Sequence, residues 1–207
     1  WNARCMEGGK YYYRDSANGW SFKNAVQGYQ SWGTVAYGIR VSANSYLYSM
    51  VSKLDLCDIS DMANKLHLHD GLGQQLYDPG LLSANIGGTR YGATPLTMAS
   101  AYATFASEGK YCEPRPLEKI TKGDGSTMKT YESKCEQAIS PDIANGVSYV
   151  LKGVIASGGS APKRAIGLPD ASAAKTGTND NSSQTWMVGY TRGLATASWV
   201  GSNDLGY

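Results

Sequence analysis

Apolar positions divide the chain into helical stripes followed by hairpin-like runs. Leu47, Met50, Val51 and Leu54 recur at i, i+3, i+4 and i+7, which predicts a helix over 41–54 with Ser42 as its N-cap. A shorter helix is expected from Ile59 to about Leu66, followed by a Gly-rich loop carrying Asp78-Pro79-Gly80 and Gly87-Gly88. The next helix has clear punctuation. Thr94 caps it, Pro95 takes the first helical position, Leu96, Ala99, Tyr102, Ala103 and Ala106 form the expected buried face, and Gly109 ends it. Leu117-Glu118-Lys119-Ile120 and Met128-Lys129-Thr130-Tyr131 flank Gly123-Asp124-Gly125 and read as a hairpin. Ser140-Pro141-Asp142 opens a further helix whose stripe is Ile143, Val147, Val150 or Leu151, and Val154, and Gly158-Gly159 stops it. Two strands close the chain, Thr185–Tyr190 and Ala195–Gly201, around a Thr191-Arg192-Gly193 turn. Residues 1–41 are aromatic and Gly-rich without a period and read as extended segments and loops. The order of elements, helices first and then a hairpin, a helix and a strand pair, gives an α+β class with a helical lobe packed on an antiparallel sheet.

Composition narrows the function more than the fold. Of 207 residues, 42% are hydrophobic and 17% charged, enough for a sizeable core, and 25 Gly and 15 Tyr against 2 Phe mark a loop-rich, polar-aromatic chain. The formal net charge of +2, with no Lys/Arg run, argues against nucleic acid or an anionic membrane as partner. No apolar run approaches the roughly 18 residues of a membrane span, and no signal peptide is visible at Trp1-Asn2-Ala3-Arg4, so any targeting or anchoring segment is expected outside this sequence. The four cysteines, Cys5, Cys57, Cys112 and Cys135, include no C-x-x-C pair, and His67 and His69 lie far from most of them, so no metal site is expected. Cys112 and Cys135 flank the hairpin and either close it as a disulfide, in an oxidising compartment, or remain with the other two as free thiols.

Two short stretches carry candidate chemistry. Lys175-Thr176-Gly177-Thr178, just before the final strand pair, sets a cation, hydroxyls and a residue without a side chain in a row. Such a row suits a strand edge lining an acyl-binding cleft: the hydroxyls can bond a carboxylate, Lys175 makes the field positive, and Gly177 lets a ligand approach the backbone. An exposed Lys before a turn fits the same residues. Ser42-Ala43-Asn44 places a hydroxyl and an amide two residues apart at a predicted helix start, which serves either helix capping or proton relay and carbonyl binding.

Together these stretches resemble the middle and third motifs of the transpeptidase domain of penicillin-binding proteins, most closely the bifunctional class A group. The resemblance runs from about Phe22 to Trp199. It includes Lys23-Asn24-Ala25, Gly33-Thr34-Val35-Ala36-Tyr37-Gly38-Ile39 leading to Ser42-Ala43-Asn44, the Pro95-Leu96…Ala101-Tyr102-Ala103 helix, Ala174–Thr178 and Trp186–Thr191. It implies a penicillin-binding-protein/serine β-lactamase-like fold and peptidoglycan D,D-transpeptidation through a serine acyl-enzyme, without cofactor or metal. The implied ligands are a stem peptide ending in D-Ala-D-Ala and the β-lactams that mimic it. The implied roles are proton relay to the leaving amine for Ser42, and holding the acyl amide and orienting a catalytic Lys for Asn44. Lys175 supplies positive field beside Ser42. Thr176 and Thr178 hold the terminal carboxylate, and Gly177 keeps the strand edge open. The implied location is the extracytoplasmic face of the bacterial membrane.

The family's nucleophile lies in a Ser-x-x-Lys roughly 40 to 60 residues before the middle motif. No Ser-x-x-Lys precedes Ser42; the four later ones begin at Ser107, Ser126, Ser160 and Ser172. Ser126-Thr127-Met128-Lys129 looks most like the motif, but it follows the middle motif and falls on a turn and strand. Residues 1–207 are therefore expected to be the C-terminal part of a single D,D-transpeptidase domain, with the nucleophile on an N-terminal part of the same domain, which is the expected partner segment. Alternatives are a serine β-lactamase or D,D-carboxypeptidase, for which only Glu108 and Glu113 offer themselves as a deacylating base, or a non-catalytic penicillin-binding module.

Overall fold

The structure, a computed structural model, describes residues 6–7, 10–11, 23–26, 28–30, 32–162, 172–179 and 182–202. Cys5, Trp20 and the 163–170 part of the loop before Lys175 lie outside these residues. A short pair, β1 (Met6–Glu7) and β2 (Lys10–Tyr11), precedes helices α1 (Val35–Val41), α2 (Asn44–Val51) and α3 (Leu56–Lys65), a 3₁₀ turn at Leu82–Ile86, and α4 (Pro95–Ala106). There follow β3 (Lys110–Cys112), β4 (Lys119–Thr121), β5 (Thr127–Thr130), β6 (Cys135–Gln137), α5 (Pro141–Ile155), β7 (Ala173–Thr178), β8 (Gln184–Tyr190) and β9 (Ala195–Gly201). The α+β class stands: β7, β8 and β9 form one antiparallel sheet in chain order, α5 packs on β7, α4 on β8 and β9, and α1 on α5 and α2.

The core explains this layering. Leu151 and Val154 of α5 bury against Ala173 and Tyr190 of the sheet, and Ile39, Tyr102 and Phe105 close around them. The Tyr190 hydroxyl is satisfied by the Ser148 hydroxyl at 2.7 Å, so an aromatic with a polar tip can sit in this core. Smaller clusters, Val51 with Leu56 and Leu66 with Ile139 and Ala144, tie α2 to α3 and α3 to the start of α5.

Helix ends follow the sequence where caps declare them. Thr94 accepts from Thr97 N–H and Ser140 from Ile143 N–H, each ahead of a first-turn Pro. The predicted hairpin is β4–β5, and it is the tip of a longer arm. At the base of that arm β3 pairs with β6, and Cys112–Cys135 is a disulfide across the ladder; Cys57 is also disulfide-bonded, so the free-thiol alternative falls for these residues. Gly109 is held to its role by geometry, with φ +88° and a Cβ that would stand 2.1 Å from Ile139 O.

Four expectations are corrected. The helix expected over 41–54 is the shorter α2, which starts only at Asn44, because the chain breaks at Ser42-Ala43, and Ser42 ends the preceding α1 instead of capping α2. The buried stripe of α2 is accordingly Tyr48 and Val51, with Leu54 exposed beyond its end. Residues 35–41, read as extended, are helical. Gly38 and two valines hide the helix from propensity, and the glycine is there because a Cβ would lie 2.3 Å from Tyr46 Cβ where α1 and α2 cross. On α4 the fully buried positions are Thr97, Ala101 and Thr104, while Leu96 is 62% exposed. Thr97 shares a hydrogen bond with Thr94 and Thr104 donates to Ser100 O, so these threonines are buried with their hydroxyls satisfied, a pattern that hydropathy does not rank. Along α5, Ala144 takes the place expected of Ile143, and Leu151 and Val154 hold as expected.

Candidate active site

The site forms where the end of α1, the loop after α5 and strand β7 meet. β7 pairs with β8 on one side, and among the described residues no strand pairs with its other side. A strand edge without a partner strand offers backbone N–H and C=O groups to an extended peptide. Side chains alternate along the strand, so Lys175 and Gly177 share one face with Ala173, while Thr176 and Thr178 share the other. Ala173 is part of the core against α5, which directs the Lys175 side chain toward the helical lobe.

There it meets Ser42. Lys175 Nζ donates to Ser42 Oγ at 2.8 Å and to Thr176 O at 2.9 Å, joining residues 133 apart in sequence. Among the described residues no carboxylate pairs with this ammonium. Burial alone lowers the Lys175 pKa from the ordinary 10.5 to about 8. At pH 7 about one molecule in ten then carries a neutral amine, far more than for a solvated lysine, so Lys175 can both give and take a proton.

Ser42 sits where it does by an unusual backbone turn. Ala43 N–H bonds Gly38 O at 2.9 Å and Ser42 N–H bonds Ile39 O at 3.2 Å, the paired closure of a Schellman motif. The residue in its left-handed position is normally Gly; here it is Ser42, at φ 57°, ψ 44°. A side chain in that conformation costs roughly 1–2 kcal/mol, and such strain at a polar side chain is a mark of functional constraint. Ala43, extended and fully buried, anchors the turn.

The other expected residues are placed less uniformly. Thr176 is half-buried, and its hydroxyl lies 3.0 Å from the Ser160 hydroxyl. Thr178 is exposed at the end of β7, opposite Thr185. Gly177 lies opposite Trp186, and a Cβ there would stand 3.2 Å from Trp186 Cβ, so the glycine also fits its cross-strand neighbour. Asn44 starts α2, and its amide N–H donates to Lys23 O at 2.8 Å. With the paired bonds between Asn24 and Ser45, it pins the 23–24 segment to the helix start, and no hydrogen bond joins Asn44 to Ser42 or Lys175 among the described residues. Ser126, the strongest of the nucleophile look-alikes, bonds Asp124 in the exposed β4–β5 turn.

Two residues went unrecognised in the sequence. Ser160, in the loop after α5, stands out in the sequence only as the start of a later Ser-x-x-Lys. Arg40, two residues before Ser42, spans the gap to the same loop: its guanidinium donates to Ser157 O and its own carbonyl accepts from Ser160 N–H at 3.0 Å.

The family described as "Penicillin binding protein transpeptidase domain" matches residues 4–203. The chain is 31% identical over 186 residues to penicillin-binding protein 1A of Mycolicibacterium smegmatis, covering 83% of this chain and 23% of that protein. The chain thus spans about a quarter of the length of such relatives. Among solved structures, penicillin-binding protein 1A of Haemophilus influenzae superposes with a TM-score of 0.78 at 19% identity, over 89% of this chain and 32% of the other, a likeness of fold. The penicillin-binding protein PonA1 of Mycobacterium tuberculosis superposes with a TM-score of 0.72 at 26% identity, over 90% and 52%.

Proposed function

The chain belongs to the transpeptidase family of penicillin-binding proteins, and from that premise we propose that it is the C-terminal part of a D,D-transpeptidase domain that crosslinks peptidoglycan stem peptides. The observation that carries this reading is the Lys175–Ser42 hydrogen bond beside an open strand edge. A hydroxyl in contact with a buried amine of lowered pKa is equipped to move a proton, and the edge is equipped to hold a peptide.

The chemistry is acyl transfer in two steps. A serine on an upstream part of the domain, outside residues 1–207, gives its proton to the lysine of its own Ser-x-x-Lys and attacks the penultimate D-Ala carbonyl of the stem peptide. The C–N bond breaks, and Ser42 passes a proton to the departing D-Ala amine while Lys175 resupplies Ser42. An amine of a second stem peptide then attacks the ester, its proton returns through Ser42 to Lys175, the ester C–O bond breaks, and the serine takes back its proton from the Ser-x-x-Lys lysine and leaves as its hydroxyl. The donor peptide lies as an added strand along β7, its carboxylate at the Thr176 and Thr178 hydroxyls, and a backbone N–H near Thr178 stabilises the oxyanion. Asn44 offers its side-chain oxygen to the nucleophile segment or to the acyl amide, its N–H being engaged by Lys23 O. β-Lactams, which present the same carboxylate beside a strained amide, acylate the same serine. No step calls for a cofactor.

Neither Glu108 nor Glu113 is hydrogen-bonded to Ser42, Lys175 or Thr176 among the described residues, and Glu113 instead pairs with Lys134 on the arm. That favours an amine acceptor over water and hence a transpeptidase over a β-lactamase. The substrate and the Cys112–Cys135 disulfide both fit the extracytoplasmic face of the membrane. No helix among the described residues is long and apolar enough to cross a membrane, and an anchor is assigned to a segment outside this sequence. The test is labelling of the full-length protein with a fluorescent penicillin: Lys175→Ala should abolish it, and labelling near the wild-type rate would overturn the assignment.

A further inference from the structure

We propose that Ser160 is a positioning residue for the acyl donor: its hydroxyl donates to Thr176 Oγ1 and so turns the Thr176 proton outward, toward the carboxylate end of the ligand. The inference rests on Thr176 being a carboxylate-binding hydroxyl. A threonine hydroxyl has one proton and two lone pairs. Left alone, that proton rotates and finds backbone acceptors as readily as a ligand. Among the described residues, the hydroxyl placed to occupy a lone pair of Thr176 is that of Ser160, at 3.0 Å. With that lone pair taken, the Thr176 proton has the open strand edge as its outlet.

The loop that presents Ser160 is built to fixed dimensions. A Cβ on Gly159 would lie 2.1 Å from Val154 O, and Gly158 has φ +78° with its Cβ position 2.8 Å from Arg40 Nη2. Ala161 N–H bonds Val154 O at 3.1 Å, which seats the far side of the loop on α5. Arg40 clasps the near side, its guanidinium on Ser157 O and its carbonyl on Ser160 N–H. Arg40 belongs to the last turn of α1, which Ser42 closes. A closed circuit results: α1 to Ser160 through Arg40, Ser160 to Thr176, and Thr176 back to α1 through its neighbour Lys175 and Ser42. Exposed Ser160 thereby sets the donor direction of Thr176 relative to the proton-relay pair.

The experiment uses the full-length protein and two probes, benzylpenicillin and its methyl ester, which lacks the negative carboxylate. Acylation rates are followed by mass spectrometry across probe concentration, to separate the binding constant from the acylation step. Ser160→Ala should weaken benzylpenicillin binding about threefold to tenfold, the range for loss of one hydrogen bond. The acylation step and the ester's rate should change by less than about twofold. Ser160→Thr, which restores a hydroxyl, should recover the binding, and Ser160→Ala should add nothing in a Thr176→Val background. Equal effects on acid and ester, or no rescue by Thr, would overturn the inference. A loss in Thr176→Val with none in Ser160→Ala would overturn it while leaving the carboxylate reading intact. No loss in Thr176→Val would overturn both.

Discussion

Lys175 is a half-buried ammonium that the fold accommodates at a cost, and that cost is measurable. Its pKa falls from 10.5 to about 8 because burial disfavours the ammonium and, among the described residues, no carboxylate compensates. At ~1.4 kcal/mol for each pH unit, charged Lys175 destabilises the native state by about 3 kcal/mol, somewhat less after allowance for solvent reaching its partly open site. Lys175→Met keeps the stem and removes the charge. It also removes the bonds to Ser42 Oγ and Thr176 O, each worth about 1 kcal/mol. The variant should therefore be about 1–2 kcal/mol more stable than the wild type at pH 7, while unable to be acylated. The pH dependence gives the sharper test. The folded pKa lies below the unfolded one, so between pH 8 and 10.5 the unfolded state binds more protons and wild-type stability rises with pH. The advantage of Lys175→Met should be full below pH 8 and shrink toward pH 10.5. Tyr48, Tyr77 and Tyr102, whose pKa values burial pushes up to about 12, lower stability above pH 10 in both proteins and cancel in the difference. Urea unfolding of the complete domain at pH 7, 8.5 and 9.5 reads this directly. An unstable variant at pH 7, or a gap that does not change with pH, would refute the burial argument.

Other outcomes follow from single features. Ser42→Gly and Ser42→Ala should both block acylation, but the Gly variant should be the more stable by about 1 kcal/mol in urea, because the left-handed backbone at φ 57° penalises only the Ala; equal stabilities would contradict the strained turn. Replacing Cys112 and Cys135 together by Ser should cost about 2–4 kcal/mol for a loop of separation 23, with limited proteolysis cutting first within the 113–134 arm; cleavage elsewhere first would show that the disulfide does not secure the arm. Ser126→Ala should leave penicillin labelling unchanged, since this serine serves only the β4–β5 turn, and lost labelling would make it the nucleophile.

What was legible in the sequence was whatever is written in local spacing. The Thr94-Pro95 and Ser140-Pro141 starts, the β4–β5 hairpin and the β8–β9 pair all declare themselves within a few residues, and all stand in the structure. Lys175 and Ser42 were legible as motifs, and the structure brings their side chains into contact. Their setting was not legible. The apolar stripe that marks the 41–54 helix begins only at Leu47, and nothing local says that the chain turns left-handed at Ser42; the close crossing of Tyr46 on Gly38 decides it. Ser160 was hidden for a related reason. Its partner is 16 residues away across a loop, and its value comes from where Arg40, Gly158 and Gly159 hold the backbone. Thr97 and Thr104 were overlooked because burial of a hydroxyl depends on whether the helix can satisfy it, which hydropathy does not encode.

The central claim is that residues 1–207 supply the proton relay and the peptide-binding edge for a nucleophile located elsewhere in the same protein. The direct measurement is to treat the full-length protein with a penicillin, digest it, and locate the mass adduct by peptide mapping. The account predicts one adduct, on a serine of a Ser-x-x-Lys upstream of Trp1, and its loss in Lys175→Ala. An adduct on Ser126 or any other serine within residues 1–207, or an upstream adduct that forms equally well without Lys175, would contradict it.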